Sequence, residues 1–326
     1  MRRREFITAI LGAASWSPAH GQPQRQPPLV GFLGSASPAE WQGRTRAFLD
    51  GLAEAGFVEG KDFSIEWRWA EGRNARLPVL ARDLVDRKVA AIAVLGNTQS
   101  ALAAKDATST IPIVFRVAAN PVETGLVSSL SRPGGNLTGV NTLGAEVGPK
   151  HVELLHELLP AARDFALLVN PTNPPLAAVQ SREIPEAAQR LGIRLRILHA
   201  STDSELEAVL GMGEPRAVGL VIGADAFFNS RGERLATLAL RNRIPTISPY
   251  REFTEAGGLL SYGGSIAEGS RRAGVYMARI LRGARPAELP VEQVVKLDLV
   301  LNMATAKALG LDVPSHMQQR ADAIIE

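Results

Sequence analysis

The feature that most constrains the fold is a regular alternation of short apolar runs with longer amphipathic segments. From residue 29 onward, apolar runs rich in β-forming residues predict strands at 29–34, 63–69, 89–95, 111–115 and 137–140. Helical spacing of apolar residues lies between them, for example at 41–55 and 75–87. Strands that alternate with helices in this way form parallel sheets covered by helices on both faces. The chain is therefore predicted to be an α/β protein.

A second series of the same kind follows. Its predicted strands lie at 165–169, 194–199, 217–222, 246–248 and 258–262, and its helices at 177–191, 204–210 and 231–243. Both series begin with a strand, a polar turn containing proline, and a helix that ends at a glycine. The strand end and that glycine are 22 residues apart in each, from Gly34 to Gly56 and from Asn170 to Gly192. The repetition predicts two lobes of similar topology.

The last part of the chain breaks this symmetry. A helix is predicted at 265–282, a strand at 294–301 and a helix at 304–309. One helix and one strand are too little for a third domain. We expect them to cross back to the first lobe and then return to the second. Ligands of open α/β sheets bind beyond the carboxyl ends of the strands, so two facing lobes would enclose one cleft.

Residues 1–22 have the layout of an export signal. A basic start at 2–4 precedes an apolar run at 6–16, and a small-x-small cleavage site follows at 19–21. A helix lying on a membrane surface is the alternative, because the apolar run is too short to span a bilayer. Two of the arginines match part of the twin-arginine pattern, and the Sec or twin-arginine route stays open. Residues 23–28 are predicted to be an extended linker.

Several chemistries have no support in the sequence. It contains no glycine-rich dinucleotide turn, no P-loop, no zinc-protease motif and no nucleophile elbow. There is no cysteine, which excludes a lipid anchor on an N-terminal cysteine. His151 and His156 are five positions apart and share one helix face poorly, so no metal site is predicted. We expect no catalytic residue and no cofactor.

The charge of the chain does not indicate a nucleic-acid partner. The formal net charge is +3, and the arginines at 2–4 supply most of it. Outside that segment the acidic and basic residues nearly balance. A basic surface that neutralises phosphates is therefore not predicted.

Candidate ligand-binding residues of the first lobe follow its strands. They are Ser35, Ser37, Asn97, Thr98 and Asn120. Thr98 and the backbone N–H groups beside it could bind a ligand carboxylate at the start of a helix, where the helix dipole favours an anion. The alternative for Ser35, Ser37, Asn97 and Thr98 is ordinary helix capping. Trp41 begins the first helix beside the two serines and is the tryptophan expected at the cleft.

The second lobe offers a corresponding set at its strand ends. They are Asn170, Thr172, Asp225, Tyr250 and Tyr262. Asp225 follows an apolar strand and could pair with a ligand cation or cap a helix. Tyr250 could stack on a flat ligand or be an ordinary half-buried loop residue.

Specific stretches of the chain point to a known family. They include Val-Gly-Phe-Leu at 30–33, Ile-Glu-Trp-Arg-Trp-Ala-Glu-Gly at 65–72, Ile-Pro-Ile-Val-Phe at 111–115, Arg-Pro-Gly-Gly-Asn-Leu-Thr-Gly at 132–139, Gly-Ala-Asp-Ala-Phe-Phe-Asn at 223–229 and Gly-Gly-Leu-Leu-Ser-Tyr-Gly at 257–263. With these stretches the chain resembles, over nearly its whole length, the exported substrate-binding proteins of ABC transporters. The resemblance is to the group of TrpX type, which includes tryptophan and tyrosine binders.

The resemblance implies a type I periplasmic-binding fold, with two Rossmann-like lobes joined by three crossovers. Lobe 1 would comprise 29–140 plus 263–290, and lobe 2 would comprise 141–262 plus 291–326. It also implies a monomer in the periplasm that captures a small ligand by hinge closure and delivers it to an ABC permease in the inner membrane. The ligand would be an amino acid, aromatic or not, or a related carboxylate. The alternatives are a ligand-sensing subunit of a membrane sensor and an enzyme that uses the same cleft.

One departure from the family concerns the ligand. Members commonly carry Gly-Asp where this chain has Ala119-Asn120, so a carboxylate that could contact a ligand ammonium is missing there. Our hypothesis is that lobe 1 holds a ligand carboxylate and Asp225 holds an ammonium. Tyr250 or Trp41 would then lie against the ligand side chain.

Overall fold

The computed structural model describes residues 27–211 and 218–326 and contains two open sheets. The predicted export signal at 1–22, and all but the last two residues of the predicted linker at 23–28, lie outside these ranges. Within the described residues, no helix is both long and apolar enough to cross a membrane.

The first sheet has six strands, and all of its strand pairs are parallel. Its members in chain order are β1 (Leu29–Gly34), β2 (Ser64–Trp69), β3 (Ala91–Leu95), β4 (Ile113–Val117), β5 (Leu137–Asn141) and β11 (Glu292–Gln293). Their order across the sheet is β11-β5-β4-β3-β1-β2. The strand β3 is buried along its whole length, as expected for a parallel strand covered on both faces.

Helices cover both faces of this sheet. They are α1 (Gln42–Glu54), α2 (Leu77–Asp86), α3 (Thr98–Ala107) and α10 (Ile266–Leu281). Phe32 and Ala93 belong to the core beneath α1 and α10, whereas the neighbouring Leu33 and Val94 belong to the core beneath α2 and α3. This alternation follows from the two-residue period of a strand.

The second sheet has seven strands in the order β13-β12-β10-β9-β8-β6-β7. They are β6 (Asp164–Val169), β7 (Arg194–His199), β8 (Gly219–Ile222), β9 (Thr246–Ser248), β10 (Leu260–Gly264), β12 (Leu297–Asn302) and β13 (Ala323–Ile325). The pair of β10 and β12 is antiparallel, and the others are parallel. Helices of this half are α4 (Gly148–Leu158), α5 (Pro174–Arg190), α6 (Asp203–Gly211), α7 (Ala226–Ser230), α8 (Gly232–Arg241), α9 (Arg251–Glu255), α11 (Met303–Leu309) and α12 (Ser315–Arg320).

The chain crosses between the sheets three times, which confirms the predicted fold class. It leaves the first sheet after β5, returns between β10 and α10, and leaves again between β11 and β12. We call the part built on the first sheet lobe 1 (27–141 and 266–293) and the part built on the second sheet lobe 2 (148–264 and 297–326).

Two details of the predicted boundaries are corrected. Lobe 1 was expected to end at 290, but β11 at Glu292–Gln293 still pairs with β5 of that lobe. Lobe 1 was expected to resume at 263, but Gly263 and Gly264 pair with β12 of lobe 2. The pairing of strands within each sheet determines where the chain passes from one lobe to the other. The apolar pattern of the sequence does not indicate which strands pair.

Candidate functional site

The two lobes face each other with the carboxyl ends of their strands, and polar contacts join them. Asn74 donates from Nδ2 to the backbone oxygen of Thr172 at 3.1 Å and to its hydroxyl at 3.3 Å. Arg231 of lobe 2 forms an ion pair with Glu40 of lobe 1. These contacts join the two lobes directly across the cleft.

A small cavity of about 20 Å³ remains between the lobes, which is room for about one water molecule. Five of the predicted site residues line it, namely Ser35, Asn97, Asn170, Thr172 and Asp225. Ala36, Gly72, Asn74, Ser201, Ala226, Phe227, Ser230 and Arg231 complete its lining. The strand-end rule therefore selected residues that the fold brings together from both lobes.

The start of α3 shows the capping role considered for it. Asn97 lies in extended conformation and accepts hydrogen bonds on Oδ1 from the N–H groups of Gln99 at 2.7 Å and Ser100 at 3.3 Å. Asn97 is thus the N-cap. Thr98 is 1% exposed, and its hydroxyl has no hydrogen-bond partner among the described residues. Thr98 does not line the small cavity.

Asp225 is the acidic centre of the site. It is 3% exposed and accepts hydrogen bonds at 2.8 Å from Nδ2 of Asn170, Nδ2 of Asn173 and the N–H of Phe227. Burial raises the pKa of the Asp225 carboxyl above its usual value. The bond to Phe227 caps α7, so the capping role considered for Asp225 is present in the structure.

Two arginines that the sequence analysis missed also reach this region. Arg44 projects from α1 and donates from Nη2 to Oδ1 of Asn229 in lobe 2. Arg116 lies at the carboxyl end of β4 and is 2% exposed. No carboxylate in the described part of the chain lies within ion-pair distance of either guanidinium. A charged residue within the apolar run of β4 was a signal that could have revealed Arg116, because charged residues are rarely buried in strands without a purpose.

The two guanidinium groups meet at Gly96, just after β3. A Cβ added to Gly96 would collide with Nη1 of Arg44 and with Nη2 of Arg116. Gly96 has a φ of +95°, a conformation that also favours glycine. Burial, together with the positive charge of Arg44, lowers the pKa of Arg116 to about 9.

Tyr250 lies opposite these arginines, in lobe 2. It precedes α9 and is 8% exposed, and burial together with the Asp225 charge raises the pKa of its hydroxyl. The positive charges of Arg44 and Arg116 act on that pKa in the opposite direction, so the tyrosine lies near both arginines. The structure thus keeps Tyr250 close to the site, although it does not line the small cavity.

The expectation for Trp41 is corrected. Its side chain is fully buried in the core of lobe 1 and packs edge-on against Trp69, with ring centroids 5.9 Å apart. Arg44 lies over the indole, 4.6 Å from the ring centroid. The indole of Trp41 therefore packs against the Arg44 guanidinium and does not line the cavity.

Three further predicted residues lie away from the cavity. Ser37 donates from its hydroxyl to Glu40 at 2.8 Å in the turn before α1, and the N-cap of α1 is Trp41, so Ser37 does not cap that helix. Asn120 accepts a hydrogen bond within its own turn. The backbone oxygen of Tyr262 contacts Nε2 of His151 at 2.6 Å, and its side chain is half-buried on β10. None of the three lines the cavity.

Comparisons with known proteins identify relatives over most of the chain. The model of a family described as ABC transporter substrate binding protein matches residues 39–325. A tyrosine-binding protein from Clostridioides difficile strain R20291 is 26% identical over 267 residues, which are 82% of this chain and 76% of that protein.

Solved structures show the same fold. A conserved domain protein from Vibrio cholerae is 27% identical with a TM-score of 0.84, over 91% of this chain and 99% of that one. An ABC domain from Streptococcus pneumonia in complex with L-Trp is 21% identical with a TM-score of 0.82, over 92% of this chain and 100% of that one.

A third solved structure also shares the fold. The ligand-free, open structure of a substrate-binding protein with adhesive properties from Clostridium difficile is 24% identical, over 91% of this chain and 99% of that one. Its TM-score is 0.64.

Proposed function

Because the chain belongs to the ABC transporter substrate-binding protein family, we propose that it captures a small ligand between its lobes and delivers it to an ABC permease in the inner membrane. The family and the curated relative are substrate-binding proteins rather than enzymes, in agreement with the missing catalytic motifs. We further propose that the ligand carries a carboxylate and an ammonium group, as an amino acid does.

One observation carries the proposal. Buried polar groups of opposite charge converge from the two lobes, with Arg44, Arg116 and Thr98 on one side and Asp225 on the other. A buried polar group without a partner is costly, so Nη1 of Arg44, Nε of Arg116 and the Thr98 hydroxyl are expected to meet a ligand. The arginines and the Thr98 hydroxyl offer donors to a carboxylate. Asp225 offers its negative charge to an ammonium.

Hinge closure follows from the same arrangement. A ligand that contacts both lobes binds the closed state more tightly than the open state and therefore shifts the equilibrium towards closure. The pairs of Arg44 with Asn229 and of Glu40 with Arg231 form only in the closed state and add to its stability.

Mass spectrometry of the ligand released from mildly purified, denatured protein tests the proposal directly. We expect a small amino acid or related carboxylate, which should bind again in calorimetry. Small-angle scattering should show a smaller radius of gyration with that ligand than without it. Tight binding with an unchanged radius would contradict closure and would place the site within one lobe.

We also propose that the protein is exported to the periplasm, on the basis of the signal pattern at 1–22. N-terminal sequencing of the protein from a native-like host should begin near Gln22, and recovery of an uncut chain from the cytoplasm would contradict export. Replacing Arg3 and Arg4 together by lysine should block export only if the twin-arginine route is used.

A further inference from the structure

We propose that the cleft selects a ligand of net negative charge, and that Arg44 and Arg116 together bind its additional acidic group. This proposal rests on the proposed function, because it concerns the same cleft. It narrows the ligand from amino acids in general to acidic amino acids. Neutral amino acids, including the aromatic ones, are then poor ligands.

The first support is the position of the two arginines. Both guanidinium groups approach Gly96 so closely that a single added Cβ would collide with each of them. Arg44 contacts lobe 2 through Asn229, and the charges that act on Arg116 besides Arg44 are those of Tyr250 and Glu252 of lobe 2. The two guanidinium groups thus lie together beside Gly96, and Arg44 reaches the opposite lobe, although neither arginine lines the small cavity.

The second support is that nearby acidic groups do not neutralise them. Glu40 is engaged by Arg231 and by the backbone and hydroxyl of Ser37. Glu252 is exposed on α9 and forms no ion pair with either arginine in the part of the chain that the structure describes. Asp225 is held by three hydrogen-bond donors. Among the described side chains, Nη1 of Arg44 and Nε of Arg116 are buried and have no acceptor.

The third support is the balance of charge in the closed cleft. Two buried guanidinium groups face one buried carboxylate, that of Asp225. A neutral zwitterion would leave one positive charge without a counterion, whereas a ligand with one extra acidic group balances the site. An unbalanced buried charge is strongly unfavourable. The planar guanidinium group of arginine can also donate two parallel hydrogen bonds to one carboxylate, a geometry that an ammonium group does not offer.

The chemistry of recognition is then specific. The ammonium of an acidic amino acid would lie at Asp225, and its two carboxylates would share Arg44, Arg116 and the Thr98 hydroxyl. An organic diacid without an amino group would bring two negative charges and leave one in excess beside Asp225. The proposal therefore excludes simple diacids, and the experiment includes them as a test.

Calorimetry with matched pairs of ligands tests the proposal. The pairs are L-glutamate with L-glutamine and L-aspartate with L-asparagine, since each pair differs by one charge at nearly constant shape. Glutarate and succinate test the diacids, and L-tyrosine and L-tryptophan represent the neutral amino acids. We expect an acid to bind at least about a hundredfold more tightly than its amide, because one charge-assisted pair is gained and one buried charge is no longer unpaired.

Variants identify the residues responsible. Arg116→Gln keeps hydrogen-bonding capacity and should weaken the acid about a hundredfold while changing the amide only a few-fold. Arg46→Gln is the matched control, because Arg46 lies on α1 with Arg44 but is largely exposed and pairs with Asp50. It should leave both ligands unchanged. Arg44→Gln provides a second test, with urea unfolding as the check that the protein remains folded.

The outcomes separate this proposal from the proposed function. If a neutral amino acid binds as tightly as any acid, or if the released ligand is neutral, the charge selection is wrong and the substrate-binding function stands. If acidic amino acids neither bind nor are released from the protein, or if a simple diacid binds more tightly than they do, the charge selection is also wrong. If no small molecule of any charge binds or is released, the proposed function itself is contradicted.

Discussion

Removing the Asp225 carboxylate should affect folding and ligand binding to different degrees, depending on the replacement. In Asp225→Ala the amides of Asn170 and Asn173 lose their acceptor, and the N–H of Phe227 loses its cap. Each buried donor left unpaired costs about 1–3 kcal/mol, and loss of an N-cap costs about 0.5–2 kcal/mol. The free energy of unfolding should therefore fall by roughly 3–6 kcal/mol.

Asp225→Asn should behave differently because the surroundings can adapt to it. The new Oδ1 can still accept from Asn170 and Phe227, which now bind the Asp225 oxygen Oδ1. The new amide would face Nδ2 of Asn173, but Oδ1 of Asn173 is buried without a partner. A rotation of the Asn173 amide brings that oxygen to the new donor. The expected loss of unfolding free energy is within about 1 kcal/mol.

Ligand binding should respond to both substitutions. The neutral amide has no charge to offer an ammonium, so an amino-acid ligand should bind about ten- to a hundredfold more weakly to Asp225→Asn. Urea unfolding gives the stability of each variant, and calorimetry with the released ligand gives the affinity. The amide variant separates the two roles, because its fold is expected to persist.

Two results would refute this reasoning. A loss of several kcal/mol for Asp225→Asn would show that Asn173 cannot rotate and that the carboxylate itself holds the fold. An unchanged affinity in the stable amide variant would show that Asp225 only caps α7. A diacid ligand without an ammonium group would then fit the site better.

Three further predictions concern pH, packing and closure. Burial lowers the pKa of His151 from 6.5 to about 4, so between these pH values the unfolded chain binds a proton at this histidine that the folded protein does not bind. The free energy of unfolding should therefore fall by about 3 kcal/mol as the pH drops from 6.5 to 4. A His151→Gln variant should lack this pH dependence in urea unfolding. Gly274→Ala should lower the free energy of unfolding by about 1–3 kcal/mol, because the added Cβ would collide with the backbone of α1. Gly43→Ala, which has open space around the added Cβ, should raise it by about 0.5–1 kcal/mol in the same assay. Glu40→Gln removes the ion pair with Arg231 across the cleft. Ligand affinity should fall by no more than about fivefold, since a partly exposed ion pair contributes about 0.2–1 kcal/mol. A larger loss in calorimetry would show that Glu40 contacts the ligand directly.

Much of the site could be predicted because the strand ends of α/β lobes converge. Ser35, Asn97, Asn170, Thr172 and Asp225 each follow a predicted strand, and all five line the cavity. The rule requires only the position of a residue after a strand, which the apolar pattern supplies. It does not indicate which of two available roles a side chain takes.

The residues that the sequence analysis missed or misplaced show where this reasoning ends. Arg44 lies in the middle of a helix, and nothing in its local pattern distinguishes it from the exposed Arg46 two positions later. Whether α1 turns it towards lobe 2 depends on how that helix packs. Trp41 was expected at the cleft for its nearness to Ser35, but packing against Trp69 draws its ring into the core.

The sequence by itself determined the order of strands and helices, the two-lobed architecture and the general position of the cleft. These follow from apolar periodicity and turn residues, which act over a few neighbouring positions. Only the tertiary structure decided that β11 stays with lobe 1 and that Arg44 contacts Asn229. Those outcomes depend on strand pairing and lobe closure between segments more than a hundred residues apart. No local pattern encodes such contacts, because their energy arises only when the distant surfaces meet.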